Sequence, residues 1–386
     1  MDFEFAGPSR IVFGVGRLAM AGDFAAAFGR RCLVVRGRDA ARAAPLLDGL
    51  ARAGLVVLDL ASPPEPGIED LRPALDRARG FGPDLLVGFG GGSAIDMAKA
   101  LSALIPEGGD PLDYAELVGA GRPFAAASLP CIAIPTTSGT GSEATRNAVF
   151  SAPGKGGIRV KASLRSASML PRLALVDPAL SLGLPRRLSA DSGLDAITQL
   201  IEPLVSAKAN PLVDGLCREG LRRGLAALPR VYENGGDLAA REDMAFASLT
   251  GGLALANAGL GAVHGIAGPL GGMTGAPHGA ICGALLPRVV SANVRILEER
   301  LPDSPAIVKY AEIASMLLGR AARAREAGPA LEALVRDLGA RSLGELGLER
   351  RDFRRLAAAS LQAGSMRSNP LPLAEGEVLD ILEAAL

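Results

Sequence analysis

A change of pattern near residue 185 limits what this chain can fold into more than any other feature of its sequence. Before it, short apolar runs alternate with helical patterns; the runs are 31–35, 55–60, 84–89 and 131–134, and the helical patterns include 40–53 and 68–80. This alternation predicts a doubly wound, mostly parallel sheet, and continuous apolar runs fit strands covered on both faces. The first part is therefore predicted to be an α/β domain.

After residue 188 the strand signals stop and helical patterns fill the chain. The predicted helices cover 191–206, 211–232, 239–255, 291–298, 305–327, 328–338, 352–363 and 374–386. A chain of 386 residues exceeds what a single hydrophobic core comfortably holds. We therefore expect two domains, an α/β domain over 1–185 and an all-α domain over 186–386.

Charge and composition exclude several kinds of partner. Lys plus Arg and Asp plus Glu both number 41, so a nucleic-acid or anionic-membrane surface lacks its usual electrostatic support. Asp2 and Glu4 stand where a signal peptide is basic, and the apolar stretch 251–263 is interrupted and too short to cross a bilayer. The four cysteines form no C-x-x-C pair, which fits reduced thiols. These features predict a cytoplasmic protein with no nucleic-acid and no membrane partner.

A glycine-rich loop follows the run 84–89. Gly90-Gly91-Gly92-Ser93 stands between a predicted strand and a predicted helix, where backbone amides and the helix N-terminus attract a phosphate. Ser93 can cap this helix and bind a phosphate oxygen. A tight turn with a cap and no ligand would have the same sequence, so this loop alone leaves both interpretations open.

A second polar loop, 135–143, follows the run 131–134. Its sequence, P-T-T-S-G-T-G-S-E, combines hydroxyl side chains with two glycines and suits a pyrophosphate, a ribose or a carboxamide. A plain polar loop is the alternative. Two such loops at the carboxyl ends of strands in one sheet favour the crevice where open α/β sheets bind ligands, so we predict a dinucleotide.

The helical part contains candidate metal ligands. His264 and His278 are the only two histidines of the chain, and both lie in one short glycine-rich segment. Asp195 and Gln199 are four residues apart, which places them on one face of a helix. One carboxylate and two imidazoles fit a divalent zinc or iron ion. Buried, merely hydrogen-bonded histidines and a solvated helix face are the alternatives.

Taken in order, these motifs resemble the iron-containing (group III) alcohol dehydrogenases. The matching patterns are G-G-G-S-x-x-D, T-T-x-G-T-G-S-E, D-A-x-T, H-G and P-H-G, and the segment 8–14 resembles the family's opening hairpin. The resemblance extends to about Pro287, some three quarters of the chain. It implies the architecture shared with dehydroquinate synthase, with a nucleotide-binding α/β domain, a helical domain, cofactor and metal in the cleft between them, and usually a homodimer.

The resemblance also implies roles for individual residues. The cofactor pyrophosphate would be held by Gly91, Gly92, Ser93 and Asp96. The nicotinamide side would be held by Thr136, Thr137, Thr140 and Ser142, and the ribose would be reached by Lys161. The catalytic metal would be bound by Asp195, His264 and His278, with Gln199 as the possible fourth ligand.

Two positions depart from the family pattern. Gln199 stands where most members have a histidine ligand, although a subgroup carries Q-L-I-E-P here, and a neutral amide predicts a weaker or differently selective metal site. Gly268 stands where many members carry a histidine assigned to proton transfer. A proton relay would then use water, a ribose hydroxyl or another side chain.

The loop after the first apolar run bears on the choice of cofactor. NAD-specific members carry an acidic residue there that binds the adenosine ribose and repels a 2′-phosphate. Gly37 occupies this place, flanked by Arg36 and Arg38, so we predict that NADP is accepted and that Gly37 adjoins the cofactor. Two alternatives are that the arginines are solvated loop residues and that Asp39 reaches the ribose.

The predicted function is metal-dependent hydride transfer between an alcohol, or the corresponding aldehyde or ketone, and NAD(P), with one Fe²⁺ or Zn²⁺. One alternative resembles maleylacetate reductase, which works without a metal. The other, from a different class, is a sugar-phosphate cyclase of the dehydroquinate synthase type. That lyase needs several basic residues around its substrate, and this chain has only five lysines.

Overall fold

The computed structural model of the chain describes residues 2–154 and 159–386, which form two units. The α/β unit comprises Ala6–Thr137 and Gly141–Leu182, and the helical unit comprises Gly183–Leu386 with Ser138–Thr140 and the N-terminal segment. The main change of unit therefore lies between Leu182 and Gly183. The assignment of cofactor binding to 1–185 and of metal binding to 186–386 stays a prediction.

The described part of the α/β unit contains eight strands. They are β1 (Ile11–Phe13), β2 (Arg31–Arg36), β3 (Val56–Ala61), β4 (Leu85–Gly90), β5 (Cys131–Pro135), β6 (Asn147–Pro153), β7 (Arg159–Arg165) and β8 (Leu173–Val176). Six of them form a parallel sheet in the order β1-β8-β5-β4-β2-β3. The predicted parallel α/β fold is thus confirmed.

Apolar side chains from one strand enter two different cores. Leu33 and Val35 of β2 belong to one hydrophobic cluster, whereas Cys32 and Val34 belong to another. Successive side chains of a strand point to opposite faces, so β2 is covered on both sides. The helices of this unit are α1 (Ala21–Ala26), α2 (Ala40–Arg52), α3 (Ile68–Phe81), α4 (Gly92–Glu107) and α5 (Pro111–Tyr114).

Several short strands differ from the sequence expectation. The segment 8–14 does not form an opening hairpin: β1 pairs in parallel with β8, with Val12 opposite Leu175. The antiparallel pair β6–β7 carried no prediction. β1 has three residues and β8 has four, which is too short for hydrophobic periodicity to identify.

The helical unit surrounds one large core. Its helices are α6 (Arg186–Val205), α7 (Pro211–Glu233), α8 (Leu238–Ala258), α9 (Ala262–Thr274), α10 (His278–Arg300), α11 (Pro305–Leu318), α12 (Ala327–Asp337), α13 (Phe353–Gln362) and α14 (Glu375–Ala385). Helix α6 is buried almost throughout from Ser189 to Val205. Asp195 and Gln199 therefore do not lie on a solvated face.

One helix was missed, and two helix predictions were wrong in extent. The glycine-rich segment with His264 forms α9, and α10 begins at His278 rather than at residue 291. The helix predicted over 305–327 ends at Leu318, because Gly319 adopts a left-handed conformation with φ of 65°. Glycine lowers helix propensity, but close packing between helices offsets this cost and hides α9 from sequence patterns.

Helix α10 has the length and apolar composition of a membrane span. However, 72% of its most apolar 18-residue segment is buried inside the protein. The neighbouring helices α8 and α9 reach this length and composition only if they are counted together as one broken span. These tests of length and composition are weak indications, because a helix in a protein core also passes them.

Candidate active site

Four side chains of the helical unit converge on one point. They are Asp195 on α6, His264 on α9, and His278 and Cys282 on α10, and their candidate ligand atoms all lie within 4.8 Å of one another. The Asp195 Oδ1 atom is 3.3 Å from His264 Nε2 and 3.8 Å from His278 Nε2. The structure thus brings together Asp195, His264 and His278, three of the four candidate ligands that the sequence suggested, and it adds Cys282, which was not predicted to bind the metal.

Close helix packing brings these residues within reach of each other. A Cβ atom at Gly279 would lie 2.1 Å from the backbone oxygen of Asp191, so a side chain there would push α10 away from α6. His278 and Cys282 are four residues apart on α10 and therefore share one helix face. Glycine at 279 consequently lets this face approach Asp195.

Glu202 orients His264. The Glu202 Oε2 atom is 2.6 Å from His264 Nδ1, and Oε1 accepts a hydrogen bond of 2.7 Å from the amide of Val263. A proton on Nδ1 leaves Nε2 unprotonated and facing Asp195, which is how an outer carboxylate prepares a histidine ligand. Glu202 was not predicted from the sequence, although its spacing of seven from Asp195 places both on one face of α6.

The cluster is closed on most sides. The side chains of Asp195 and His264 are 4% and 7% exposed, whereas that of His278 is 32% exposed. Burial would lower the pKa of His278, but the charge and hydrogen bonding of Cys282 and the charge of Asp195 raise it to about 9. Burial alone would raise the pKa of Asp195, but its hydrogen bond to His264 and the nearby imidazoles lower it. The surroundings therefore favour a cation beside these groups.

The donor atoms fit a single metal ion. Nitrogen and oxygen ligands about 2.0–2.2 Å from a tetrahedral ion lie about 3.3–3.6 Å from each other. The two distances from Asp195 to the histidines, 3.3 and 3.8 Å, come within a few tenths of an ångström of this range. Carboxylate and imidazole are ligands that both zinc and iron accept.

The two departures from the family pattern have definite surroundings. The Gln199 Nε2 atom donates a hydrogen bond of 2.9 Å to the carbonyl of Gly139, so only its Oε1 atom remains available to a metal. At Gly268, an added Cβ atom would have no heavy atom within 4 Å. The absence of a histidine at 268 is thus not imposed by crowding.

The first glycine-rich loop begins α4, but its cap differs from the expectation. The N-cap is Gly91, and Ser93 lies inside the first turn, where its hydroxyl accepts a hydrogen bond of 3.3 Å from the amide of Glu65. The interpretation of Ser93 as the cap was therefore wrong. Gly91 and Gly92 stand at the start of the helix, where unpaired amides can face a phosphate.

Asp96 was predicted to bind the pyrophosphate and Ser142 the nicotinamide side, and these two residues are hydrogen-bonded to each other. Asp96 on α4 accepts hydrogen bonds from the Ser142 hydroxyl and, at 2.9 Å, from the amide of Val149. The buried Lys99 lies 3.0 Å from Asp96 Oδ1 and donates to the carbonyl of Ser142 at 2.9 Å. Helix α4 thereby holds the second loop at Ser142, and the Asp96 carboxylate accepts hydrogen bonds from protein donors.

The threonines of the second loop fall in different units. Thr136 donates its backbone amide to Gly90 at 2.9 Å, and a Cβ atom at Gly91 would lie 3.3 Å from the Thr137 hydroxyl. Both threonines therefore adjoin the first loop. Thr140 belongs to the helical unit.

Charged side chains predicted to lie near the adenosine part of the cofactor pair with other groups of the protein. Lys161 forms an ion pair with Glu65, and Arg36 pairs with Asp59 at 2.9 Å. Asp39 is the N-cap of α2, since its side chain accepts a 2.9 Å hydrogen bond from the amide of Ala41. Gly37 donates its amide to Phe89, and an added Cβ atom would have no heavy atom within 4 Å.

Comparison with known proteins identifies the family. The model of the iron-containing alcohol dehydrogenases matches residues 8–178, and the model of the C-terminal part of this family matches residues 189–386. The chain belongs to the iron-containing alcohol dehydrogenase family. The resemblance inferred from the motifs is therefore confirmed, and the match extends beyond Pro287 to residue 386.

Individual relatives agree with this family. The chain is 33% identical to the probable alcohol dehydrogenase EutG of Salmonella typhimurium, over 99% of this chain and 94% of the relative. It is 32% identical to the 1,3-propanediol dehydrogenase of Citrobacter freundii, over 99% and 98% of the two chains. The crystal structure of a 1,3-propanediol oxidoreductase superposes with a TM-score of 0.89 at 31% identity, covering both chains completely.

Family membership defines the class of reaction. Relatives similar to this chain are named as alcohol and propanediol dehydrogenases, which are oxidoreductases acting on CH–OH groups. The predicted alcohol dehydrogenase function is confirmed at this level, as is the α/β fold with a helical C-terminal part.

Proposed function

We propose that this protein oxidises an alcohol, or reduces the corresponding aldehyde or ketone, with NAD(P) and one divalent metal ion. The observation that carries this proposal is the convergence of Asp195, His264 and His278, with Glu202 behind His264. Together these groups offer one carboxylate oxygen and two imidazole nitrogens to a divalent cation. Gln199 remains the candidate for the fourth ligand that the family pattern suggests.

The residues of the centre have distinct tasks. Asp195 and the Nε2 atoms of His264 and His278 would hold the metal, and Glu202 keeps His264 oriented. The metal supplies a Lewis acid that lowers the pKa of an alcohol hydroxyl, and the nicotinamide supplies the hydride acceptor. The partly exposed His278 marks the side open to the alcohol. Because Gly268 offers no acid or base, the released proton would pass to water, a ribose hydroxyl or another side chain.

We assign cofactor binding to residues 1–185 and metal and substrate binding to residues 186–386. The amides of Gly91 and Gly92 support a pyrophosphate, together with Ser93 and the adjoining loop, which Asp96 and Ser142 stabilise. Thr136, Thr137 and Thr140 are assigned to the nicotinamide side, and Lys161 is assigned to the ribose. Lys161 would exchange its ion pair with Glu65 for this contact.

Acceptance of NADP is supported by the space at Gly37. No acidic side chain extends from this position to repel a 2′-phosphate. Arg36 is partly neutralised by Asp59, so Arg38 is the stronger candidate for attracting the phosphate. We also propose a homodimer, on the basis of the family pattern, and a cytoplasmic location, on the basis of the four free cysteines.

Turnover measurements test the proposal. The purified protein is assayed with a panel of primary and secondary alcohols, including 1,3-propanediol, and with each oxidised cofactor under anaerobic conditions. We expect reduction of the nicotinamide with at least one simple alcohol and loss of this activity after complete chelation. Full activity in chelated enzyme would instead support the maleylacetate reductase-like alternative.

A further inference from the structure

Cys282 lies at the metal centre. Its side chain is fully buried, and its Sγ atom is 3.7 Å from His278 Nε2 and 4.0 Å from His264 Nε2. It also lies within 4.8 Å of the Asp195 carboxylate. The other three cysteines of the chain are not part of this cluster.

These distances match those between ligands of one ion. A thiolate sulfur about 2.3 Å and an imidazole nitrogen about 2.0 Å from a tetrahedral metal lie about 3.5 Å apart. The measured distances of 3.7 and 4.0 Å exceed this value by a few tenths of an ångström. A small contraction around a bound ion would bring the sulfur to bonding distance.

The backbone around Cys282 holds it in this place. A Cβ atom at Gly283 would lie 2.7 Å from Leu194 Cδ1, so α10 packs closely against α6 at the residue next to Cys282. One turn earlier, Gly279 allows the same close approach. Cys282 therefore faces Asp195 from a rigid helix rather than from a loop.

Gln199 is the weaker candidate for the fourth ligand. Its Nε2 atom is held by the Gly139 carbonyl, which leaves one neutral amide oxygen. Zinc and ferrous iron bind a thiolate more strongly than an amide oxygen. Cys282 on the neighbouring helix α10 is thus a stronger metal donor than Gln199, the residue that departs from the family pattern.

We propose that the Cys282 thiolate is the fourth protein ligand of the metal, giving an Asp195, His264, His278 and Cys282 site. The inference rests on the proposed metal-dependent function. Two anionic ligands neutralise a divalent ion, whereas one carboxylate with three histidines would leave a net charge of +1. The thiolate also favours Zn²⁺ over Fe²⁺ as the metal that the protein retains.

Cobalt substitution tests this assignment without an activity measurement. Apo-protein is loaded with Co²⁺, and its absorption is recorded for wild type, Cys282→Ser and Cys217→Ser. Cys217 is equally buried but lies on α7, outside the cluster, so its variant controls for the loss of a core thiol. We expect a thiolate-to-cobalt charge-transfer band in wild type and in Cys217→Ser, and no such band in Cys282→Ser.

Metal affinity provides the second readout. Cys282→Ser should weaken zinc binding on the order of 100-fold, at the upper end of the loss seen when residues that support metal ligands are replaced. Gln199→Ala should change zinc affinity less than about twofold, because its amide is held by Gly139. X-ray absorption of the wild-type zinc protein, which needs no variant to fold, should show one sulfur at about 2.3 Å.

The outcomes separate the two proposals. Stoichiometric cobalt or zinc binding without a sulfur signal in wild type would overturn the role of Cys282 and leave the Asp195 and histidine site intact. The same conclusion would follow if Gln199→Ala lost the metal while Cys282→Ser kept it. Failure of wild type to bind either metal would contradict the proposed metal-dependent function itself.

Discussion

The carboxylates of Asp96 and Asp195, one in each unit, have different kinds of partner. In the α/β unit, Asp96 is engaged by Ser142, Val149 and Lys99, so its charge is balanced within the protein. In the helical unit, Asp195, His264 and His278 face one another in a buried cluster. The first arrangement builds a loop that offers backbone amides, whereas the second gathers carboxylate and imidazole donors that suit a divalent cation.

This difference predicts where substitutions act. Changes at the metal cluster should affect ion binding and turnover with little effect on folding. Changes in the α/β unit should affect stability or cofactor preference and leave metal content unchanged.

The largest effect is expected for His264→Ala. Removal of one imidazole eliminates a ligand and leaves Glu202 without its partner, so metal content and alcohol oxidation should both fall below detection. Elemental analysis and steady-state assays measure these two quantities, and circular dichroism checks that the helices remain. Retention of full activity would refute the assignment of His264.

Glu202→Gln should have the next largest effect. The amide keeps the size of the side chain but removes the charge that supports His264, so metal affinity should fall about 10–100-fold. Competition with a chromophoric chelator measures this affinity. Unchanged affinity would show that Glu202 serves only to hold the amide of Val263.

Glu143→Gln tests the α/β unit through the dependence of stability on pH. Burial raises the pKa of Glu143 from 4.5 to about 7, opposed by a backbone hydrogen bond and by Lys99. The folded state therefore binds more protons than the unfolded state between pH 4.5 and 7, and wild-type stability falls as the pH rises through this window. The loss should reach about 3 kcal/mol above pH 7.

Glu143→Gln should remove this loss, so the variant gains stability relative to wild type as the pH rises. Chemical denaturation at pH 5 and pH 8 measures the difference, with the exposed Asp76→Asn on α3 as control. An equal pH dependence in Glu143→Gln and wild type would contradict the raised pKa.

Gly37→Asp should have the smallest effect, confined to cofactor choice. The new carboxylate enters open space, binds the ribose hydroxyls and repels a 2′-phosphate, so the ratio of kcat/KM for NADP to that for NAD should fall about tenfold. Gly37→Asn, which has the same size but no charge, should shift this ratio less. A strong preference of the wild type for NAD would contradict the interpretation of Gly37.

Sequence patterns identified the long elements and the three residues with the most distinctive chemistry. They predicted the β2–β5 region because each strand is a continuous apolar run, and they singled out His264 and His278 because the chain has no other histidine. They missed α9, since glycine spacing resembles a loop until the packing of neighbouring helices is known.

Cys282 and Glu202 were missed for a different reason. A single cysteine or glutamate in a helix is usually structural, and its role becomes visible only when distant residues are brought together. Glu202 is 62 positions from His264, and Cys282 is 18 positions from it. The spacing of Asp195 and Gln199 on α6 indicated a shared face, but it did not indicate which neighbouring residues this face meets.

The most direct test of the metal-dependent account is removal and return of the ion in the wild-type enzyme. Metal content and alcohol oxidation are measured on the same sample after exhaustive chelation and after addition of one equivalent of Zn²⁺ or Fe²⁺. We expect activity to disappear with the metal and to return in proportion to the amount rebound, up to one ion per chain. Undiminished activity in metal-free protein would contradict this account.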